Sequence, residues 1–272
     1  MTSFTAATIP DQNLHVNIMD VAEGDAILIQ IGNQNILIDG GPSPQAILLG
    51  LSNKMPFWNR KLDLVILTHP HLDHLSGLIE VLLRYRVEQV LAPNLVSSSP
   101  SYHEWSDLIK KKNIRYTLAQ AGQQIPLGNA AKLDILNPPD TLPGNNESDL
   151  ENNAIVARLT CGKISFLFTA DIGAESEAGL IARRADLVCT VLKVSHHGSA
   201  TSTTQDFLSV SRPQVAVISA GADNLFGHPS EAIITRLEKN YVAEKNILRT
   251  DKSGTIEFIT DGQVLRVKTE RK

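Results

Sequence analysis

Apolar and polar residues alternate through Leu14-His15-Val16-Asn17-Ile18, the period of a strand with one buried face. Two more strand-like runs, residues 25–31 and 35–38, flank Gly32-Asn33-Gln34, which fits a hairpin turn. Residues 64–67 are continuously apolar, whereas Leu75, Leu78, Ile79, Leu82 and Leu83 recur at helical spacing within residues 74–86. A second cycle puts strands at 154–159, 164–168 and 187–194, with a helix at 175–184. A third sets a strand at 215–219 ahead of a helix at 231–240, and the tail, 247–268, returns to strands with a turn at Asp261-Gly262. Alternation of this kind predicts an α/β chain. The stretch 137–153, rich in Pro, Gly and Asn, has no period and reads as a surface loop. No repeat or linker divides the chain, so one domain over residues 1–272 is expected.

Composition narrows the class without naming it. Hydrophobic residues make up 42% and charged residues 20%, an ordinary globular balance. The net charge of −4 argues against a broad basic surface for long nucleic acids. It leaves room for one short phosphate-bearing strand in a cleft, where metal ions supply positive charge locally. Cys161 and Cys189 are too few for a disulfide framework, which points to a reducing compartment. Residues 1–10 lack the basic and apolar regions of a signal peptide, and no apolar run approaches the ~18 residues of a spanning helix. A cytoplasmic protein without a membrane anchor is expected.

Chemistry concentrates where strands end, the place open sheets put their sites. The run at 64–67 delivers His69-Pro70-His71-Leu72-Asp73-His74. Pro70 favours an extended His69, and in extended chain His69 and His71 point the same way, so the two imidazoles can grip one ion. Asp73 and His74 come as the chain turns into its helix and face a second ion. Four ligand-type residues in six are hard to account for as solvated loop polars. Asp171 ends the strand 164–168, where it reads either as a carboxylate shared by two cations or as a cap for the following helix. His196 and His197 follow the run 187–194 and, as neighbours, do different jobs: one completes a metal, the other meets substrate or leaving group. In Gly198-Ser199-Ala200-Thr201-Ser202, Ser202 and Gln205 are spaced as a capping box. That start is a seat for phosphate, or an ordinary cap without a ligand. His15, His103 and Lys110-Lys111-Lys112 read as structural or exposed.

His-x-His-x-Asp-His after a strand resembles the signature of the metallo-β-lactamase superfamily. Ile36-Leu37-Ile38-Asp39-Gly40-Gly41 resembles its first motif, in which Asp39 supports the metal loop, and Phe168-Thr169-Ala170-Asp171 resembles its bridging-aspartate motif. Residues 19–26, Val194-Ser195-His196-His197-Gly198-Ser199 and Gly227-His228-Pro229 are similar to the ComEC/Rec2 branch, a nuclease-like domain fused elsewhere to a DNA-uptake channel and expected here as a standalone domain. The resemblance implies a four-layer αββα sandwich with two mixed sheets and outer helices, and His228 closing the second metal site. Glu151-Asn152-Asn153-Ala154 stands where most members carry a further histidine, and the branch has an acidic residue where His71 stands.

The site expected from sequence has His69, His71, Asp73, His74, Asp171, His196 and His228 on two divalent ions, Zn²⁺ or Mn²⁺ by donor chemistry. Asp73 and His197 act in catalysis, Ser199, Thr201 and Ser202 bind phosphate, and Asp39 holds the metal loop. Two close cations acidify a bridging water and offset phosphoryl charge, so a phosphodiesterase or nuclease acting through a metal-bridging hydroxide is expected, with DNA among its substrates. A lactonase or thioesterase, and a non-catalytic metal-binding domain, are the rival readings.

Overall fold

The first and last strands among the described residues share one sheet. A computed structural model describes residues 11–139, 147–240 and 242–271. Its first sheet runs in the order Leu265–Thr269, Ile256–Thr260, Leu14–Ile18, Ile27–Ile31, Gln34–Ile38, Leu64–Ile66, Gln89–Ala92 and Arg115–Leu118. The second runs Ile247–Arg249, Val215–Ile218, Val191–Lys193, Ile164–Phe168, Val156–Cys161, Ala131–Asn137 and Gln124–Leu127. Both sheets are mixed: hairpins such as Ile27–Ile31 with Gln34–Ile38 are antiparallel, while Gln34–Ile38 with Leu64–Ile66 and Ile164–Phe168 with Val191–Lys193 are parallel.

Strand periodicity explains the layering. Ile36 and Ile38 face the core between the sheets, and Leu37 between them faces outward onto helices. Phe166 and Phe168 likewise meet the shared core, whereas Leu167 faces the opposite helix layer. A strand covered on both faces must be apolar throughout, hence the unbroken runs seen in the sequence. Helices Pro44–Lys54, Leu72–Arg84 and Pro100–Lys111 bury Ile47, Leu78 and Trp105 against the first sheet. Helices Ala174–Ala182, Gln205–Ser211 and Glu231–Lys239 bury Leu180, Phe207 and Ile233 against the second. The result is the four-layer αββα sandwich. Among the described residues no helix is long and apolar enough to cross a membrane.

Several boundaries differ from the sequence reading. Within 187–194 only Val191–Lys193 pairs as a strand, because the backbone of Cys189 bonds outside the ladder, to Ser211. The tail is broken by a short helix, Thr250–Ser253, that ends on Gly254 at φ 66°. Part of the expected loop 137–153 is ordered: Glu147–Asn152 is helical, and Asn137 is buried, its amide donating to the carbonyls of Asn152 and Ala154. Residues 140–146 of that loop lie outside the described residues.

Candidate metal centre

The carboxyl ends of parallel strands from both sheets converge here. Gln34–Ile38 ends at Asp39 and Leu64–Ile66 leads to His69, while Ile164–Phe168 leads to Asp171 and Val191–Lys193 to His196-His197. Helix Leu72–Arg84 is held close to the Asp39 loop by two glycines. A Cβ on Gly40 would stand 2.6 Å from the backbone nitrogen of Leu78, and Gly77 donates its N–H to Gly41 O at 2.9 Å. That approach fixes the helix's first turn, and with it Asp73 and His74.

Asp39 is fully buried at φ 57°, a strained position that its hydrogen bonds maintain. It accepts from Thr68 N at 2.8 Å and Thr68 Oγ1 at 2.7 Å, and His74 Nδ1 donates to it at 2.8 Å. With Nδ1 carrying that proton, His74 Nε2 points its remaining valence at Asp171 Oδ2, 3.2 Å away. His197 is arranged in parallel: Nδ1 donates to Ser219 O at 3.0 Å, and Nε2 lies 3.2 Å from Asp171 Oδ2 and 3.3 Å from Asp73 Oδ2. Orienting an imidazole through its far nitrogen is how proteins prepare a histidine for a metal.

Ligand atoms of Asp73, His74, Asp171 and His197 all lie within 4.8 Å of one another. Asp171 Oδ1 and His197 Nε2 are buried without a hydrogen bond, so both have valences aimed into the shared space. Two carboxylates and two imidazoles form a donor set that suits a divalent cation. The electrostatics agree. Burial disfavours the charged form of His197, yet the Asp171 carboxylate beside it pushes its pKa up to about 10. Burial opposes charge on His74 as well, and Asp171, Asp73 and Asp39 together raise it well above the ordinary value. Against the same burial, His197, His74 and Lys193 hold Asp171 well below the carboxylate range, and His74 and His197 lower Asp73. Two buried imidazoles thus hold protons where a divalent ion would release them.

His69 and His71 form a second donor pair beside this set. His69 Nε2 lies 3.1 Å from His71 Nδ1, and its ring is 4.2 Å from that of His74. Burial and the nearby His74 charge keep His69 well below its usual pKa, so it is neutral and able to ligate. Among the described residues, no third donor joins these two in a compact ligand group.

Other expected residues stand further out. His196 is partly exposed, with Nε2 3.9 Å from Glu151, so His197 is the member of the pair that joins the ligand group. Both have left-handed backbone, φ 51° and 53°, which turns the adjacent side chains to different sides. His228 pairs through Nδ1 with Glu23 at 2.9 Å, and its ring is 6.5 Å from that of His197. The capping box expected at Ser202 is replaced: helix Gln205–Ser211 starts on Thr204, whose hydroxyl accepts from Phe207 N at 3.2 Å. The Ser202 hydroxyl is buried and donates to Ser195 O and Ser199 O, so it is not offered to a phosphate. Ser199 and Thr201 share a hydroxyl pair at 2.9 Å, with Thr201 exposed.

Two residues at the centre were given no role from sequence. Lys193 is 1% exposed, its ammonium in contact with Asp25, 3.1 Å from Ala170 O and 3.6 Å from Asp171 Oδ1. Asp25, also buried, groups with Asp39 and His74. A lysine inside an otherwise apolar strand was the available signal.

The sequence pattern of the metallo-beta-lactamase superfamily matches residues 19–222, a span that contains all four candidate ligands. The chain belongs to the metallo-beta-lactamase superfamily. ComE operon protein 3 of Bacillus subtilis is 28% identical over 89% of this chain, and Recombination protein 2 of Haemophilus influenzae is 31% identical over 85%. These relatives bear out the resemblance to the ComEC/Rec2 branch. The matches cover 32% and 27% of those proteins, so the chain spans about a third of the curated relatives' length. Among solved structures, the metallo-beta-lactamase fold protein YhfI of Bacillus subtilis superposes with a TM-score of 0.59 at 13% identity, covering 90% of this chain and 99% of that one. This superfamily is one of metal-dependent hydrolases, and the Asp73–His74–Asp171–His197 group is its candidate metal site here.

Proposed function

We propose that this chain is a binuclear phosphodiesterase of the nuclease type, loaded with Zn²⁺ or Mn²⁺. The observation that carries the reading is the four-residue ligand group, buried everywhere except at Asp73, whose side chain is 35% exposed. Asp73, His74, Asp171 and His197 would hold one ion, and His69 and His71 would offer their imidazoles to the other. Bound divalent ions would supply an acidified water and offset the charge on phosphoryl oxygens.

The chain's own residues do the rest. Asp39 and the Ser219 carbonyl orient His74 and His197 before any ligand arrives, so little reorganisation accompanies binding. Asp73, the partly exposed member of the group, would hold the ion and position an attacking water beside it. The Ser199 and Thr201 hydroxyls just after His197, and His196 just before it, would donate to the non-bridging oxygens of a phosphodiester. A neutral lactone or thioester would gain little from these donors. The recombination protein among the relatives supports a nucleic-acid phosphodiester as the substrate.

The test is hydrolysis of bis(p-nitrophenyl) phosphate by chelated protein reloaded with Mn²⁺ or Zn²⁺, with a β-lactam and a lactone as controls. Turnover of the diester that chelation abolishes is the expected result. A loaded enzyme that opens the lactone and ignores every phosphodiester overturns the proposal.

A further inference from the structure

Between strand Val215–Ile218 and helix Glu231–Lys239, the chain puts two large apolar residues into solvent. Leu225 is 98% and Phe226 73% exposed. Single exposed apolar residues are ordinary, but this loop is built to keep them out. The Asn224 side chain ties it at four points, donating to Gly221 O at 2.8 Å and His228 O at 2.7 Å and accepting from Phe226 N at 3.2 Å and His228 N at 2.9 Å. Glu23 braces it from across the site, accepting from Gly221 N at 2.9 Å and pairing with His228. A loop pinned this way cannot fold its apolar tip inward.

The Phe226 ring is also the outer member of a chain of neighbouring rings that leads to the candidate ligand group. Phe226 lies 5.8 Å from the His228 ring at 21° between planes, a stacked pair. His228 in turn lies 5.9 Å from His196 and 6.5 Å from the metal-ligand candidate His197. The rings therefore step outward from the cluster to one exposed aromatic face. A ligand that meets this face while its phosphate meets the centre must carry a planar ring a short reach from a phosphodiester.

We infer that Phe226 is a stacking platform for an unpaired nucleobase, and that it selects single-stranded nucleic acid as the substrate of the phosphodiesterase proposed above, on which this inference rests. A base inside a duplex has no free face to offer. Stacking on an aromatic side chain tolerates any base and is worth on the order of 10–100-fold in affinity.

The experiment uses the full chain loaded with Mn²⁺ and two oligonucleotides, a single-stranded oligothymidylate and the same strand with abasic spacers. In the wild type, KM for the abasic strand should exceed that for the base-bearing strand by about tenfold or more. In Phe226→Ala that ratio should collapse towards one, mainly through KM rather than kcat, and Phe226→Trp should preserve it. Fluorescence anisotropy of the labelled strands, recorded with chelated protein, gives the same comparison without turnover. Equal effects of Phe226→Ala on both strands, or no effect on either, overturn the stacking role. Failure to cleave any diester would sink the phosphodiesterase reading instead, and the anisotropy ratio would still decide the role of Phe226.

Discussion

Lys193 carries an ammonium into the same buried volume as Asp25 and Asp171, and burial there works against its charge. The two carboxylates outweigh that cost and raise its pKa above the ordinary lysine value. Removing one partner of a buried ion pair strands the other's charge, which typically costs about 3–5 kcal/mol. Lys193→Met should therefore destabilise the metal-free protein by about that much in urea denaturation. Asp73 presents the opposite case. Its side chain is 35% exposed, so Asp73→Ala should cost under about 1 kcal/mol of folding while reducing divalent-ion affinity and diester turnover on the order of 100-fold or more. Calorimetric titration and denaturation on both variants check the contrast. If Asp73→Ala unfolds the protein while Lys193→Met is silent, the residue-level account of the centre is wrong.

The segment joining the candidate ligand His197 to helix Gln205–Ser211 is clamped by two other helices. Glu177, buried on helix Ala174–Ala182, accepts from the backbone N–H groups of Thr203 and Thr204, and Arg236 on helix Glu231–Lys239 donates to Ser202 O at 2.7 Å and Thr203 O at 2.8 Å. The Thr204 cap is a local device worth about 1 kcal/mol. Glu177 satisfies two amides from a distant element, and hydrogen bonds to a charged acceptor are worth about 1.5–3 kcal/mol each. Glu177→Ala should thus cost at least twice what Thr204→Ala costs and should speed amide exchange at Thr203 and Thr204; equal losses would mean that the clamp is only a cap. The same segment shows where sequence reasoning stops. Ser202 and Gln205 have the right spacing for a cap, but Ser202 is used by Ser195 and Ser199, bonds that no local pattern reveals. Helix Leu72–Arg84 was legible because Leu75, Leu78 and Leu82 share one face against the sheet. The run 187–194 was over-read as a strand, since apolar burial does not require ladder pairing. His69 to His74 and Asp171 could be picked out as candidates because their chemistry is local or at a strand end. The choice of His197 over His196 depends on a left-handed turn, and Lys193 meets Asp25 only through the packing of one sheet on the other.

The first sheet brings together segments far apart in sequence, because strand Leu14–Ile18 pairs antiparallel with Ile256–Thr260. Asn17 is opposite Glu257 in that register, which puts His15 diagonal to Glu257 on one face, and His15 Nδ1 donates to the carboxylate at 2.9 Å. Lys54, from helix Pro44–Lys54, reaches the other oxygen at 3.1 Å, so one carboxylate joins strands Leu14–Ile18 and Ile256–Thr260 to a helix. The bond from His15, with help from Lys54 and against burial, holds Glu257 at a pKa of about 2. The same bond raises His15 above its ordinary 6.5, against burial. The signs differ. A depressed carboxylate contributes stability above its unfolded pKa and loses it as pH falls through the folded value, here between 4.5 and about 2. A raised histidine contributes fully below 6.5 and loses that contribution as pH rises through its higher folded value. The two contributions overlap between 4.5 and 6.5. His15→Ala should therefore lower the melting temperature most at about pH 5 to 6, by the equivalent of about 1 kcal/mol for a partly buried pair, and the difference should shrink steadily towards alkaline pH. Thermal melts of both proteins across that range provide the measurement. A deficit that stays constant, or grows above pH 8, would show that His15 stabilises these strands by packing alone and that its charge pairing with Glu257 contributes nothing to joining them.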